Sequence, residues 1–268
     1  MNNPSHIVSL TFDDALDVHL DHVVPLLDQH GFQGSFYVTL GAQSFTGRLD
    51  EWRRVAAKGH ELGNHTIFHP AWRHKSYVTG GNAVENYSLD RMRLELEAAN
   101  RILSGLDGQT ERTFAYPCCN QVIGAPGFAK RFLGRMKLDR TRLMSALNRH
   151  SWLDVGSTEM SYEALAAELF LASRAGGERF SADPDYPPCR TAVPCVSLDG
   201  KREDELASVL DAFLRHECGW LVFMGHGIGG GHHLSCDTAV FEWLLGILRS
   251  RAIPVHTFRE AAQMVYQR

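Results

Sequence analysis

Short apolar runs separated by helical stretches constrain this chain more than any other feature. HIVSLTF at 6–12 reads as a buried strand, 17–30 as a helix stopped by Gly31, and GSFYVT at 34–39 as a second strand. A helix over 50–58 ends at Gly59, and a short strand then reaches Asn64. After a loop at 70–87, Ser88 is placed to cap a helix whose Leu89, Met92, Leu96, Ala99 and Leu103 share one face, with Gly105 after it. Residues 112–116 are strand-like, and 118–200 read as irregular apart from a helix at 161–172. A helix at 203–216, a strand at 220–225, a helix at 237–249, a strand at 252–257 and a helix from 258 complete the order. Such alternation, with no internal repeat or low-complexity linker, predicts an α/β protein built on a parallel sheet or barrel, in one domain over 1–268.

Chemistry-bearing residues fall where the predicted strands end. Asp13-Asp14, Asn64-His65, Tyr116-Pro117-Cys118 and His226 each follow a strand-like run. In parallel barrels the loops at those ends build the active site. The stretch HELGNHTIFHP (60–70) nearly spells a zinc-protease helix, but Asn64 stands four places after His60. The pair at true i, i+4 spacing is His65 and His69, and Pro70 makes His69 the end of a single turn. Two imidazoles one turn apart grip an ion only with a third ligand from elsewhere. Taken alone, Asp13-Asp14 also fit a helix cap near Asp17, and His226 also fits a packing role. His60 reads as a dipole partner at a helix end.

Composition narrows the classes. With 268 residues, 44% apolar, the chain suits one large domain or two small ones. A net charge of −4 and the absence of a long Lys/Arg run argue against nucleic acid or an anionic membrane as partner. No apolar run approaches the roughly 18 residues of a membrane span. The N-terminus enters a strand pattern with no basic region and apolar signal segment, so a cytoplasmic protein is expected unless a leader was trimmed. Six cysteines without a CxxC spacing are expected to be free thiols. GIGGGH at 227–232 is too short for a dinucleotide fingerprint and reads as a loop hinge.

TFDDA (11–15), NHTIFHP (64–70), FAYPC (114–118) and FMGHG (223–227) occur in the order seen in the polysaccharide deacetylase family, the NodB-like carbohydrate esterase 4 group, which this chain resembles from about His6 to Val265. The resemblance implies a distorted (β/α) barrel and metal-dependent removal of an acetyl group from a sugar. Carried over by motif, Asp14, His65 and His69 become ligands of one divalent ion, with Zn²⁺ the expected metal. Asp13 becomes the general base, the backbone N–H of Cys118 an oxyanion donor, and His226 the general acid. Tyr116, Trp72 and His233 are candidate contacts for the acetylated carbohydrate. The chain departs from the pattern at Ala115, where many members carry an arginine that steadies the base; Arg174 and Arg190 are candidates to replace it. The aspartate that positions the acid histidine has no clear match, with Asp183 or Asp185 as candidates. Hydrolysis of a small amide, as in allantoinase-like relatives, and a catalytically silent sugar-binding protein are the alternatives.

Overall fold

The computed structural model describes residues 6–136, 138, 141–149, 154–183 and 185–266. Among these the strands are, in chain order, β1 (His6–Asp13), β2 (Ser35–Val38), β3 (Glu61–Asn64), β4 (Phe114–Ala115), β5 (Val122–Ile123), β6 (Met160–Ser161), β7 (Ser173–Arg174), β8 (Ser181–Ala182), β9 (Val196–Ser197), β10 (Gly219–Gly225), β11 (Gly227–Ile228) and β12 (Ser235–Cys236). β1 pairs in parallel with β10 along its length, and with β2 at its C-terminal end. β3, β4 and β7 continue the parallel ladder beyond β2. The segment 190–198 closes the ring. On one side Val193 accepts from Ala175 N–H and donates to Ser173 C=O; on the other, β9 pairs in parallel with β10. The result is the expected distorted (β/α) barrel, with antiparallel β8 appended to the start of β10.

The two-residue period of β1 sorts its side chains. Val8, Leu10 and Phe12 pack outward against the helices, in a core with Phe36, Leu221, Phe223 and Phe241. Ile7, Ser9, Thr11 and Asp13 fall on the other, inward face; Ser9 Oγ accepts the Trp220 indole N–H at 3.0 Å. Truncating a buried phenylalanine such as Phe12 costs roughly 3–5 kcal/mol. The outer core therefore fixes the register of β1, and with it the height of Asp13 at the open end of the barrel. The helix Phe258–Tyr266 plugs the opposite end through Phe258, Ala261, Ala262 and Val265. There the buried carboxylate of Glu61 accepts from Ser35 Oγ, Thr113 Oγ1 and the Arg259 N–H.

Three expectations need correction. The helix Leu89–Asp107 runs through the exposed Gly105 and stops at Gly108, whose φ of 73° suits glycine. A mid-helix glycine costs only about 1 kcal/mol, which the buried Met92–Leu103 stripe outweighs. The segment 252–257 is no strand. Pro254 lacks an N–H, and only Val255 bridges to Val8. Finally, 118–200 holds two further helices, Phe128–Arg135 and Arg142–Arg149, besides a shorter-than-expected Glu163–Leu169.

Candidate active site

Asp13 is the last inward residue of β1, and Asp14 begins the turn that leaves it, with φ of 80°. Adjacent residues of a strand point apart, but this left-handed turn brings both carboxylates to the mouth of the barrel. His65 follows β3 directly. Its Nδ1 donates to the Ala115 carbonyl at 2.8 Å, which leaves the Nε2 lone pair facing Asp14 Oδ1 at 3.5 Å. His69 comes round on a turn in which its N–H bonds Thr66 Oγ1, with both residues at positive φ, and its Nε2 lies 3.4 Å from the same Asp14 oxygen. One ligand atom from each of Asp14, His65 and His69 lies within 4.8 Å of the others. Two imidazole nitrogens and one carboxylate oxygen, converging with a side left open, fit a hydrolytic Zn²⁺-type ion. Burial holds the His65 imidazolium pKa down to about 4, so the ring is neutral and able to ligate.

Two ion pairs, one buried and one part-buried, flank this trio. Asp13, 5% exposed, accepts from Arg174 Nη2 through both carboxylate oxygens. Burial alone would raise its pKa, but Arg174, His65 and His226 together hold it at about 2. Arg174 thus stands where the base needs support, reaching it from β7. Arg190 instead bonds the Ala167 carbonyl at the surface. On the other flank His226 follows β10. Its N–H and Nδ1 both meet Asp199, at 3.1 and 2.6 Å. Burial pulls the imidazolium pKa of His226 down, yet the Asp199 bond and the charges of Asp13, Asp199 and Asp14 leave it raised.

Asp183 and Asp185 do not reach His226: Asp183 lies beside Cys218, and Asp185 faces Arg179. The signal for Asp199 is VSLDG (196–200), an apolar run ending in Asp-Gly like the other strand-end motifs, hidden because β9 is only two residues long. His19 was missed as well. It is fully buried, accepts the Leu16 N–H at Nδ1 and donates from Nε2 to the His226 carbonyl, tying the loop after β1 to the end of β10.

The remaining candidates divide. Cys118 sits at φ 51° in the turn Pro117–Cys119, with its thiol 2.9 Å from the Tyr77 hydroxyl, and the Tyr77 ring lies tilted against His69, centroids 5.9 Å apart. Tyr116 is not a surface contact; it is 1% exposed and packs on Phe114 and Tyr162. Trp72 is half-buried against the same core. His233 is exposed, 4.1 Å from His232, whose ring stacks on His226 at 5.1 Å. His60 is no dipole partner but a buried clamp, accepting the Gly34 N–H and meeting Asp28. No disulfide joins any of the six cysteines among the described residues. A cavity of 270 Å³ opens beside Asp14, lined also by Asp17, Gln43, Ser44 and Gly231.

Residues 1–121, which include Asp13, Asp14, His65, His69 and Cys118, match the family model described as polysaccharide deacetylase. That match covers less than half of the chain, and over the rest the likeness to that family is one of fold. A gellan lyase of a Bacillus species is 32% identical over 111 residues, 41% of this chain but 4% of that much longer protein. Among solved structures, a putative polysaccharide deacetylase of Mycobacterium smegmatis superposes with a TM-score of 0.59 at 13% identity, covering 100% of this chain and 93% of that one. A peptidoglycan N-acetylglucosamine deacetylase gives 0.52 at 14% identity, covering 98% and 93%. A mutant of a carbohydrate esterase family 4 pseudoenzyme from Bacillus anthracis, with restored activity, gives 0.55 at 15% identity, covering 98% and 69%. At these identities the likeness establishes the family's fold.

Proposed function

We propose that the chain hydrolyses acetyl groups from an N- or O-acetylated carbohydrate. One observation carries the reading: a metal-ligand trio lies between an ionised carboxylate clamped by Arg174 and a histidine clamped by Asp199. Asp14, His65 and His69 would hold a divalent cation, which would supply Lewis-acid polarisation and lower the pKa of water. Asp13, kept ionised, takes the proton of the attacking water. The Cys118 N–H, in its left-handed turn, is the donor assigned to the developing oxyanion. His226, whose pKa the Asp199 bond raises against the effect of burial, returns a proton to the departing amine or alkoxide. The cavity beside Asp14, with Gln43 and Ser44 in its wall, offers hydrogen-bonding groups to a sugar. A silent binding protein has no use for two separately supported acid–base groups beside the ligands.

Acetate release from acetylated chitooligosaccharides and from acetylated xylan, with and without chelator, tests the reading. The protein is expected to carry about one divalent ion, to lose activity on chelation and to regain it with added Zn²⁺. Metal content unchanged in His65→Ala would remove His65 from the site, and no acetate from any acetylated sugar would sink the assignment.

The Asp199 pair makes a pH prediction. His226 has a raised folded-state pKa, so its acid form, and the stability that its pairing adds, is present below the ordinary histidine value and lost as pH rises through the raised one. Asp199→Asn removes the charge that raises it and is expected to move the alkaline limb of the pH–rate profile to lower pH. An unmoved limb would show that His226 is not the titrating acid. His226→Ala is expected to cost on the order of 10²–10⁴ in turnover, and less for an aryl acetate whose leaving group needs no proton.

A further inference from the structure

Residues 128–149 carry seven Lys or Arg against one Asp, in a chain whose net charge is −4. The segment is inserted between β5 and β6, in the connection leaving the C-terminal end of β4, the end that carries the site. Its two helices close a small core of their own, Ala129 and Leu133 against Met144 and Leu147. The first helix is firmly anchored. The buried Asp154 carboxylate accepts from Gly127, Ala129 and Lys130 N–H, and Lys130 Nζ pairs with Glu159 at 2.6 Å.

Its outer face inverts the usual order. Phe128, Phe132 and Met136 recur at every fourth position and are 70, 54 and 55% exposed, with Leu143 on the second helix at 57%. The two phenyl rings stack on each other in the open, 6.3 Å apart. Arg131, Arg135 and Arg142 are exposed around them. A helical face that is apolar at its crest and basic at its flanks matches a surface that is apolar beneath and anionic above.

We propose that this hairpin docks the protein on an anionic lipid surface, with Phe128, Phe132, Met136 and Leu143 entering the head-group region and the arginines meeting lipid phosphates. A second copy of the chain would bring like charges face to face, and a soluble acidic polymer would use the arginines but leave the phenylalanine stripe in water. The net charge of the whole chain, which spoke against such a partner, averages this segment with an acidic remainder.

Co-sedimentation of the full chain with vesicles of phosphatidylcholine alone, or mixed with phosphatidylglycerol, tests the proposal. Binding is expected only to the mixed vesicles and should weaken with salt. At about fivefold per basic residue, Arg131→Glu/Arg135→Glu/Arg142→Glu should lower partitioning at least about a hundredfold. Phe128→Ser/Phe132→Ser should lower it at least about tenfold. These side chains are exposed and outside the acid–base machinery, so melting temperature and acetate release from a soluble substrate should stay at parent values. Equal binding to both vesicle types, or to neither, overturns the proposal. So does a dimer abolished by Phe128→Ser/Phe132→Ser, or binding to a soluble acidic polysaccharide that survives the serine changes.

Discussion

Asp13→Asn is expected to keep its metal and lose turnover by on the order of 10²–10⁴-fold, because an amide accepts no proton from water. Asn is close to isosteric, and its oxygen still accepts from Arg174. The guanidinium also keeps Cys195 Sγ at 3.4 Å and the face of Tyr37 at 5.1 Å, so the variant should remain folded. Asp14→Asn is expected to behave differently. It replaces the anionic group on which both histidine Nε2 atoms converge with a neutral, weakly ligating amide, so metal content should fall and excess metal should restore part of the activity. Metal analysis and turnover on the same preparations separate the two. If Asp13→Asn strips the metal while Asp14→Asn retains it, the roles are exchanged and the argument from the period of β1 fails.

That period explains why so much of the site was legible in the sequence. Asp13, Asp14, His65 and His226 all sit where an apolar run stops, and burial of the outward residues forces the register that lifts them to one end of the barrel. His65 and His69 needed only the four-residue spacing and Pro70. What was left open or stayed hidden lies on elements too short to produce a pattern. β7 and β9 have two residues each, yet they deliver Arg174 and, just past β9, Asp199. Their backbone partners come from distant segments, and no local window of sequence contains those. Tyr116 was misjudged for a related reason. Its place at the end of a strand-like run suggested the rim, but whether a side chain at the end of so short a strand turns inward or outward is decided by Phe114 and Tyr162 packing on it. Gly63 shows the same non-local control: a Cβ there would lie 2.4 Å from the Tyr37 ring, which fills the lumen beneath Asp13.

Arg174→Ala is expected to be the most destabilising change at the site. It leaves the Asp13 carboxylate buried without its main partner, which typically costs 3–5 kcal/mol. For a chain of this size that is a fall of roughly 10 °C in melting temperature. Turnover should fall with it, since the base loses its fixed orientation. The sheet offers a way to separate charge from position. Ala115 on β4 is in register with Arg174 on β7, and paired residues of parallel strands project from the same face. Position 115 is also where the family resemblance of the sequence motifs implies an arginine. With the Arg174 side chain removed, space opens beside Ala115, so Arg174→Ala/Ala115→Arg should bring a guanidinium back to Asp13 from the neighbouring strand. We expect the double variant to recover at least about tenfold in turnover and several degrees in melting temperature over Arg174→Ala. Ala115→Arg alone should destabilise, because that site is fully buried and already faces a cation. Such a cycle is strongly non-additive, as residues sharing one partner are. Additive losses would mean that Arg174 supports the barrel wall and not the base, and the clamp on Asp13 would have to be withdrawn from the mechanism.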